Sequence, residues 1–412
     1  MRILFVTPYL PSRIRARSYG FVQQLGRRHK VQVLALSGGK HEVADIRAMV
    51  KDGIAVTALH EGRSIKIARC LGALGTAQPL QVAFDASARL RAMLGTLIKS
   101  GQYDLLHIEF VRALGMLPAP PSQLPLPCVW DAVDCVSHLY QLGATAGATP
   151  LLRLWGRYEA ERLRAYECEQ LTRFRHILVS SSRERAQFLQ LAEARGHGGG
   201  EEGARAEISV LPHGLDQSYF QCNTGWRAPD TLIFSGKMSF HANVAGATML
   251  LQRIMPLLWR VRPTLRLIIA GSDPPSSLCR LARDARIEVT GYVPDLRPYL
   301  ARAYIALCPL PYAVGIQNKV LEAMALGTPV IASPSVAAGL QVESGRELLI
   351  AETPEQVAAA TLRLLDDTAL WQQLAARGRH YIEVYHNWDV ILTRLEALYA
   401  RAMQQRTHYG GL

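Results

Sequence analysis

The chain has 412 residues, 49% of them hydrophobic, and a formal net charge of +12. That length exceeds one ordinary hydrophobic core, so two domains are expected. No apolar run reaches the length of a membrane span, and no nucleic-acid-binding motif accompanies the basic charge, which argues against nucleic acid as partner. The seven scattered cysteines contain no C-x-x-C pair, a pattern of reduced thiols in a cytoplasmic protein and not of a disulfide framework or zinc site.

In chain order, RILFVTPYL predicts a buried strand. Its apolar run is too short for a signal peptide. A helix from about Arg17 to Arg28 and the strand VQVLAL follow. GIAVTALH, YDLLHIEF, PCVWDAVD and HILVSSS read as further strands, with helical patterns such as SARLRAMLGTLIKSG between them. LPHGLDQSYFQCNTGWRAPD carries the prolines and glycines of a linker. The alternation then restarts with TLIFSGKM, the long helical pattern NVAGATMLLQRIMPLLWRV, and the strands LRLIIAG, IEVTGYV, YIALCPL, TPVIAS and ELLIAET. Strands alternating with helices predict parallel sheets covered on both faces, so the fold class is α/β with two doubly wound domains. The expected boundaries are 1–221 for the first domain and 222–387 for the second. A final helical stretch, 388–412, is free to pack back on the first domain.

The positive charge is uneven. Residues 13–30 hold six Arg/Lys and no acid, whereas the segment from Arg153 to Arg175 interleaves six arginines with four glutamates. The first segment suits an anionic membrane face or substrate, with Arg13, Arg15 and Arg17 as the contact. The second reads as a solvated helix face. Residues Gly198 to Gly203 fit G-x-G-x-x-G but follow a helix and include two glutamates, so they read as a surface loop and not a dinucleotide fingerprint.

Doubly wound sheets bind ligands beyond the carboxyl ends of their strands, and two such domains place the expected site in the cleft between them. The segment GIQNKVLEAMALG has this position. Asn318 is expected to cap a helix whose first amides can hold an anion. Lys319 places a charge at that end, which the helix dipole disfavours unless an anion is bound. Glu322, one turn in, can accept hydrogen bonds from two hydroxyls. Together they suit a nucleoside diphosphate, with amides and lysine for phosphate and carboxylate for ribose. Taken singly, Lys319 is an ordinary surface lysine and Glu322 an ordinary ion-pair partner.

NKVLEAMALGTPVIAS resembles the donor segment of family 4 glycosyltransferases with the GT-B fold. The likeness extends over FVTPYLP, YDLLHIEF, VWDAVD, ISVLPHGLD, LIFSGKM, VTGYVPDLRPYLARA and ELLIAETPEQVAAA. GIQNKVLEAMA is closest to bacterial sugar transferases of exopolysaccharide systems associated with exosortase clusters. The resemblance implies transfer from a nucleotide-sugar to a carbohydrate or lipid-linked acceptor, retaining, with no metal and no cofactor beyond the donor. It implies that Gly236, Gly291, Tyr292, Gly315, Gln317, Asn318 and Glu322 bind the donor. Lys237 and Lys319 would stabilise the departing diphosphate, and Asp134 would orient the acceptor. Asp131, His107 and Glu109 lie at neighbouring strand ends, with His107 read as a core residue. The family carries two glutamates seven residues apart. Glu322 matches the second, but the first falls at Val314. The arginine-rich loop PYLPSRIRARSYG also departs from the Gly-Gly loop of many relatives. The protein is expected in the cytoplasm, at the inner face of the membrane where anionic lipid is present. A sugar-nucleotide epimerase of the same shape and a non-catalytic binding subunit are the alternatives, the second supported by Val314.

Overall fold

The structure, a computed structural model of the chain, describes residues 1–12, 15–39, 42–146, 150–194, 206–220 and 227–407. It divides into a first unit, Met1–Gly214 with Trp388–Leu412, and a second, Leu215–Asn387. The division between them falls after Gly214, earlier than the position 221 suggested by the linker's composition. Arg13, Cys222 and the glycine run Gly198–Gly203 lie outside the described residues.

The first unit holds a parallel sheet of β1 (Arg2–Thr7), β2 (Lys30–Ser37), β3 (Ala55–His60), β4 (Leu105–Glu109), β5 (Cys128–Val133), β6 (His176–Val179) and β7 (Glu207–Val210), in the order β3-β2-β1-β4-β5-β6-β7. β7 is absent from the sequence reading. Its four residues lie between a glycine-rich and a proline-containing stretch, and pairing with β6 is what makes it a strand. Each face of this sheet is buried. Leu4, Val6, Leu106 and Trp130 pack on one side, and Ile3, Phe5, Leu105 and Val129 on the other. Burial on both faces explains why β1 reads as a continuous apolar run without alternation.

The C-terminal helix, Trp388–Thr407, belongs to the second of these faces through Ile391, Leu395, Leu398 and Tyr399. Trp388 sits against two glycines. A methyl on Gly20 would lie 1.9 Å from its ring, and one on Gly214 2.5 Å. Only residues without a Cβ admit the indole there.

The second unit repeats the topology with β8 (Ala228–Ser235), β9 (Arg266–Ala270), β10 (Ile287–Gly291), β11 (Ala303–Cys308), β12 (Val330–Ala332) and β13 (Leu349–Ile350), ordered β10-β9-β8-β11-β12-β13. In both sheets the strand order reverses beside the first strand, between β1 and β4 and between β8 and β11. That reversal opens a crevice at the strands' carboxyl ends. The helical pattern after β8 runs from His241 to Val261, with one π-turn at Leu250–Ile254 just before Pro256, which supplies no backbone N–H.

Candidate nucleotide site

The crevice of the second unit is lined by backbone that only glycine can supply. Gly236 follows β8 with φ +143°, and Gly271 follows β9 with φ +146°. A methyl on Gly271 would lie 1.8 Å from the Gly236 carbonyl oxygen, so the two loops touch backbone to backbone. Hydrogen bonds tie successive strand ends together. Gly236 N–H donates to Ala270 O at 2.9 Å, Met238 N–H to Ser272 O at 2.8 Å, and Gly271 N–H to Gly291 O at 3.2 Å.

Across the reversal, the loop after β11 leads into the helix Asn318–Ala325. Gln317, not Asn318, occupies the cap position, with extended backbone, and its side chain donates back to Val314 O at 3.0 Å. Asn318 is the first helical residue. The Val320 N–H donates to Gln317 O at 2.9 Å, and Gln317 caps the turn with no side-chain bond, so the Asn318 and Lys319 amides are the ones an anion could take.

Lys319 reaches back from this helix to Gly236. Its ammonium donates to Asn243 Oδ1, lies 4.9 Å from the centre of the Phe234 ring, and would be 2.9 Å from any methyl on Gly236. Asn243 in turn donates to Lys237 O at 2.9 Å. Burial lowers the Lys319 pKa, opposed by Cys308 and Glu322. Lys319 makes no ion pair among the described residues. Glu322, half-buried on the same helix, has no side-chain hydrogen-bond partner among the described residues. Burial raises its pKa to about 7, with Lys319 pulling the other way. A lysine and a carboxylate on one helix thus act on each other electrostatically, and neither forms an ion pair among the described residues.

The remaining predicted residues differ in exposure. Lys237 is exposed and lies 3.9 Å from Asp273, itself at φ +59°. Tyr292 stands 68% exposed after β10, next to Gly291 at φ +66°. Gly315 is buried at φ +59°, and a methyl on Gly339 would lie 2.1 Å from its carbonyl oxygen. Val314 is buried and apolar, so its side chain offers no hydrogen bond where the family has a glutamate. Two residues escape the sequence reading. Asn243 fixes Lys319. His241 bonds through Nδ1 to the Tyr312 hydroxyl and stacks on that ring at 5.4 Å. Both sit in the first turn of an apolar helix, and only the fold brings them to the crevice.

The first unit's crevice is equipped differently. Thr7 and Ser18 both donate to Glu109 Oε2, from Thr7 at 3.1 Å, while Glu109 Oε1 is buried without a partner. Burial and the nearby Asp131 charge push the Glu109 pKa up to about 8. Arg17 forms a bidentate pair with Asp131 at 2.9 and 2.8 Å and donates to Leu211 O at 2.7 Å. Burial opposes ionisation of Asp131, but Arg17 and His107 outweigh it and hold the carboxyl below its usual range. His107 Nε2 lies 3.6 Å from Asp131, and its Nδ1 meets the Tyr399 hydroxyl at 2.8 Å. His107 is therefore a bonded core residue, and Arg17 and Asp131 join it in the interior.

Of Arg13, Arg15 and Arg17, expected to contact an anionic membrane face or substrate, Arg13 lies outside the described residues and the other two are engaged within the protein. Arg17 is buried, and Arg15 donates to Leu10 O at 2.6 Å and pairs with Glu42 at 3.4 Å. Arg28 is bound by Asp389 and Glu396. The segment lacks acids of its own because its partners come from distant strands and helices. Asp134 follows Val133, a β-branched residue at φ +65°, and accepts from Ser180 at 2.8 Å. Burial and the charge of Glu184 raise its pKa to about 7. Positive φ in such a residue is strained backbone.

Residues 229–367 match the family model described as Glycosyl transferases group 1. The chain is 30% identical over 210 residues to glycogen synthase of Mycobacterium tuberculosis, covering 48% of this chain and 49% of that protein. It thus spans about half the length of the glycogen synthases it matches. It is 24% identical over 317 residues to the MMP alpha-(1->4)-mannosyltransferase of Mycolicibacterium hassiacum, covering 74% and 72%. In fold it is similar to Anabaena HepE in complex with UDP, with TM-score 0.67, 15% identity and coverage of 97% and 100%. It is also similar to sucrose-phosphate synthase of Thermosynechococcus elongatus, with TM-score 0.70, 15% identity and coverage of 98% and 100%. The chain shares the two-domain GT-B fold of these structures, and residues 229–367 of its second unit match the group 1 glycosyl transferase model.

Proposed function

We propose that the protein moves a sugar from a nucleotide-sugar to a carbohydrate or lipid-linked acceptor in bacterial polysaccharide or glycolipid synthesis, with retention and without a metal. The observation that carries the reading is Lys319, seated beside Gly236 by Asn243 with no carboxylate paired to it among the described residues. The donor's diphosphate would lie on the first amides of the Asn318 helix and against Lys319, with exposed Lys237 at its edge. Glu322 would accept from the ribose hydroxyls. HepE, a structural neighbour, is seen with UDP and with UDP-glucose, which supports a uridine donor as the first to try.

In the transfer, the bond between the sugar's anomeric carbon and the β-phosphate oxygen breaks, and the diphosphate leaves with the electron pair. The acceptor oxygen bonds to the same face of that carbon, and its proton passes to the departing phosphate oxygen. Charge grows on the diphosphate during this step, so Lys319, Lys237 and the helix amides stabilise the transition state more than the ground state. Asp134 would orient the acceptor hydroxyl. The sequence contains no D-x-D, in keeping with protein charges taking the place of a metal.

The reading is tested by a thermal-shift panel of nucleoside diphosphates and nucleotide-sugars, because a ligand of the folded state raises the midpoint with its affinity. At least one nucleoside diphosphate is expected to do so. No shift with any of them would overturn the assignment. Val314 keeps a non-catalytic binding subunit in view, and binding without turnover of any acceptor would favour it.

A further inference from the structure

We propose that the first unit docks on an anionic membrane surface through a patch formed by the helix Arg63–Ala73 and the start of the helix Pro150–Arg173. The inference rests on the reading that the acceptor is carried at a membrane, and it is tested without any substrate.

On the first helix Ile67, Leu71 and Leu74 recur at i, i+4 and i+7 and are 54%, 63% and 44% exposed. On the second, Leu154, Trp155 and Tyr158 share a face at 67%, 46% and 39%. The stripes meet. The Tyr158 hydroxyl donates to Leu74 O at 2.7 Å, and Arg162 donates to Leu74 O at 2.8 Å and Ala73 O at 3.2 Å. Single exposed apolar side chains are ordinary, but six on two joined elements mark an interaction surface.

The charges around the patch select the occupant. Arg63 and Arg157 are exposed beside it. The neighbouring acids are already engaged: Glu61 with Arg69, Asp85 with Lys66 and Arg112, and Glu159 with the Gln81 N–H. The next exposed acid on the second helix, Glu161, comes a turn beyond Arg157. Tryptophan, tyrosine and leucine rimmed by arginine suit the headgroup region of a bilayer with anionic lipid. A second copy of the chain would bring these arginines against their own counterparts across a two-fold axis.

The test is co-sedimentation of the full chain with phosphatidylcholine vesicles, with and without phosphatidylglycerol. The wild type is expected to bind the vesicles containing phosphatidylglycerol and to lose binding as salt rises. The double variant Leu71→Ser, Trp155→Ala is expected to bind at least about tenfold more weakly with an unchanged melting midpoint, since both side chains are exposed. The double variant Arg63→Glu, Arg157→Glu should lose the preference for the anionic lipid. Transfer to a water-soluble acceptor should be unaltered in both, which separates a failure of docking from a failure of the transferase reading. Absence of wild-type binding, equal binding by both variants, or a wild-type dimer that the apolar variant splits without any lipid binding would each overturn the proposal.

Discussion

The two crevices of this chain share one topology and are filled in opposite ways. Between β1 and β4 the protein supplies its own occupants. Glu109 is bound by Thr7 and Ser18, and behind it Arg17, Asp131, His107 and Tyr399 form a connected interior network. Between β8 and β11 glycine keeps the wall bare, and among the described residues neither Lys319 nor Glu322 forms an ion pair. The lesson is that a charge at a strand end identifies a ligand site only when the fold leaves it unanswered. Arg17 and Lys319 look alike in a sequence, yet Arg17 is paired with Asp131 in the interior while Lys319 is proposed to meet the donor's diphosphate.

Breaking the first crevice should have the largest effect. Arg17→Met would strand a buried Asp131 and is expected to cost about 3–5 kcal/mol in denaturant unfolding. Adding Asp131→Leu should recover much of that loss, because the whole pair is then replaced by apolar groups. A cost below about 1 kcal/mol for the single variant would show that the pair contributes little.

Breaking the second crevice should cost binding before stability. Gly271→Ala forces a methyl toward the Gly236 carbonyl at a backbone angle that L-residues rarely adopt. The strain, about 1–3 kcal/mol, falls on the loops that would hold the diphosphate. UDP affinity by calorimetry should drop about tenfold or more, with a small change in midpoint. Unchanged affinity would remove these loops from the site.

The smallest effect concerns pH. The Glu109 pKa of about 8 in the folded chain lies above the unfolded value of about 4.3, so the native state holds the proton more tightly. This contribution is complete below the unfolded value and is lost as pH rises through about 8. Glu109→Gln keeps a neutral side chain and should flatten the decline of unfolding midpoint between about pH 4.3 and 8. Wild-type and variant curves of equal slope would mean that Glu109 is not held protonated.

Much of this contrast was legible beforehand and part was not. Alternating apolar strands and helices were plain in β1, β9 and β11 because burial on both faces leaves continuous runs. GIQNKVLEAMA announced a helix start carrying charge. The partners of those charges were invisible, since Arg17 finds Asp131 across 114 positions and Lys319 finds Asn243 across 76. β7 was too short to show a period, and the cap moved to Gln317 because backbone geometry, not side-chain preference, begins that helix. The segment around Trp155 read only as a solvated helix face, and the exposure of Leu71 and Trp155 became visible only in the fold.

The central claim is that the second crevice holds a nucleoside diphosphate through Glu322 and Lys319. Calorimetric titration of UDP and of pyrophosphate into wild type and Glu322→Gln tests it most directly, at about pH 8 so that a carboxyl with a pKa of about 7 is ionised. The variant is predicted to lose about 1.5–3 kcal/mol of UDP binding, to bind pyrophosphate nearly as the wild type does, and to melt at the same temperature. Wild-type affinity for UDP together with a markedly lower midpoint would make Glu322 a structural carboxylate and contradict the account.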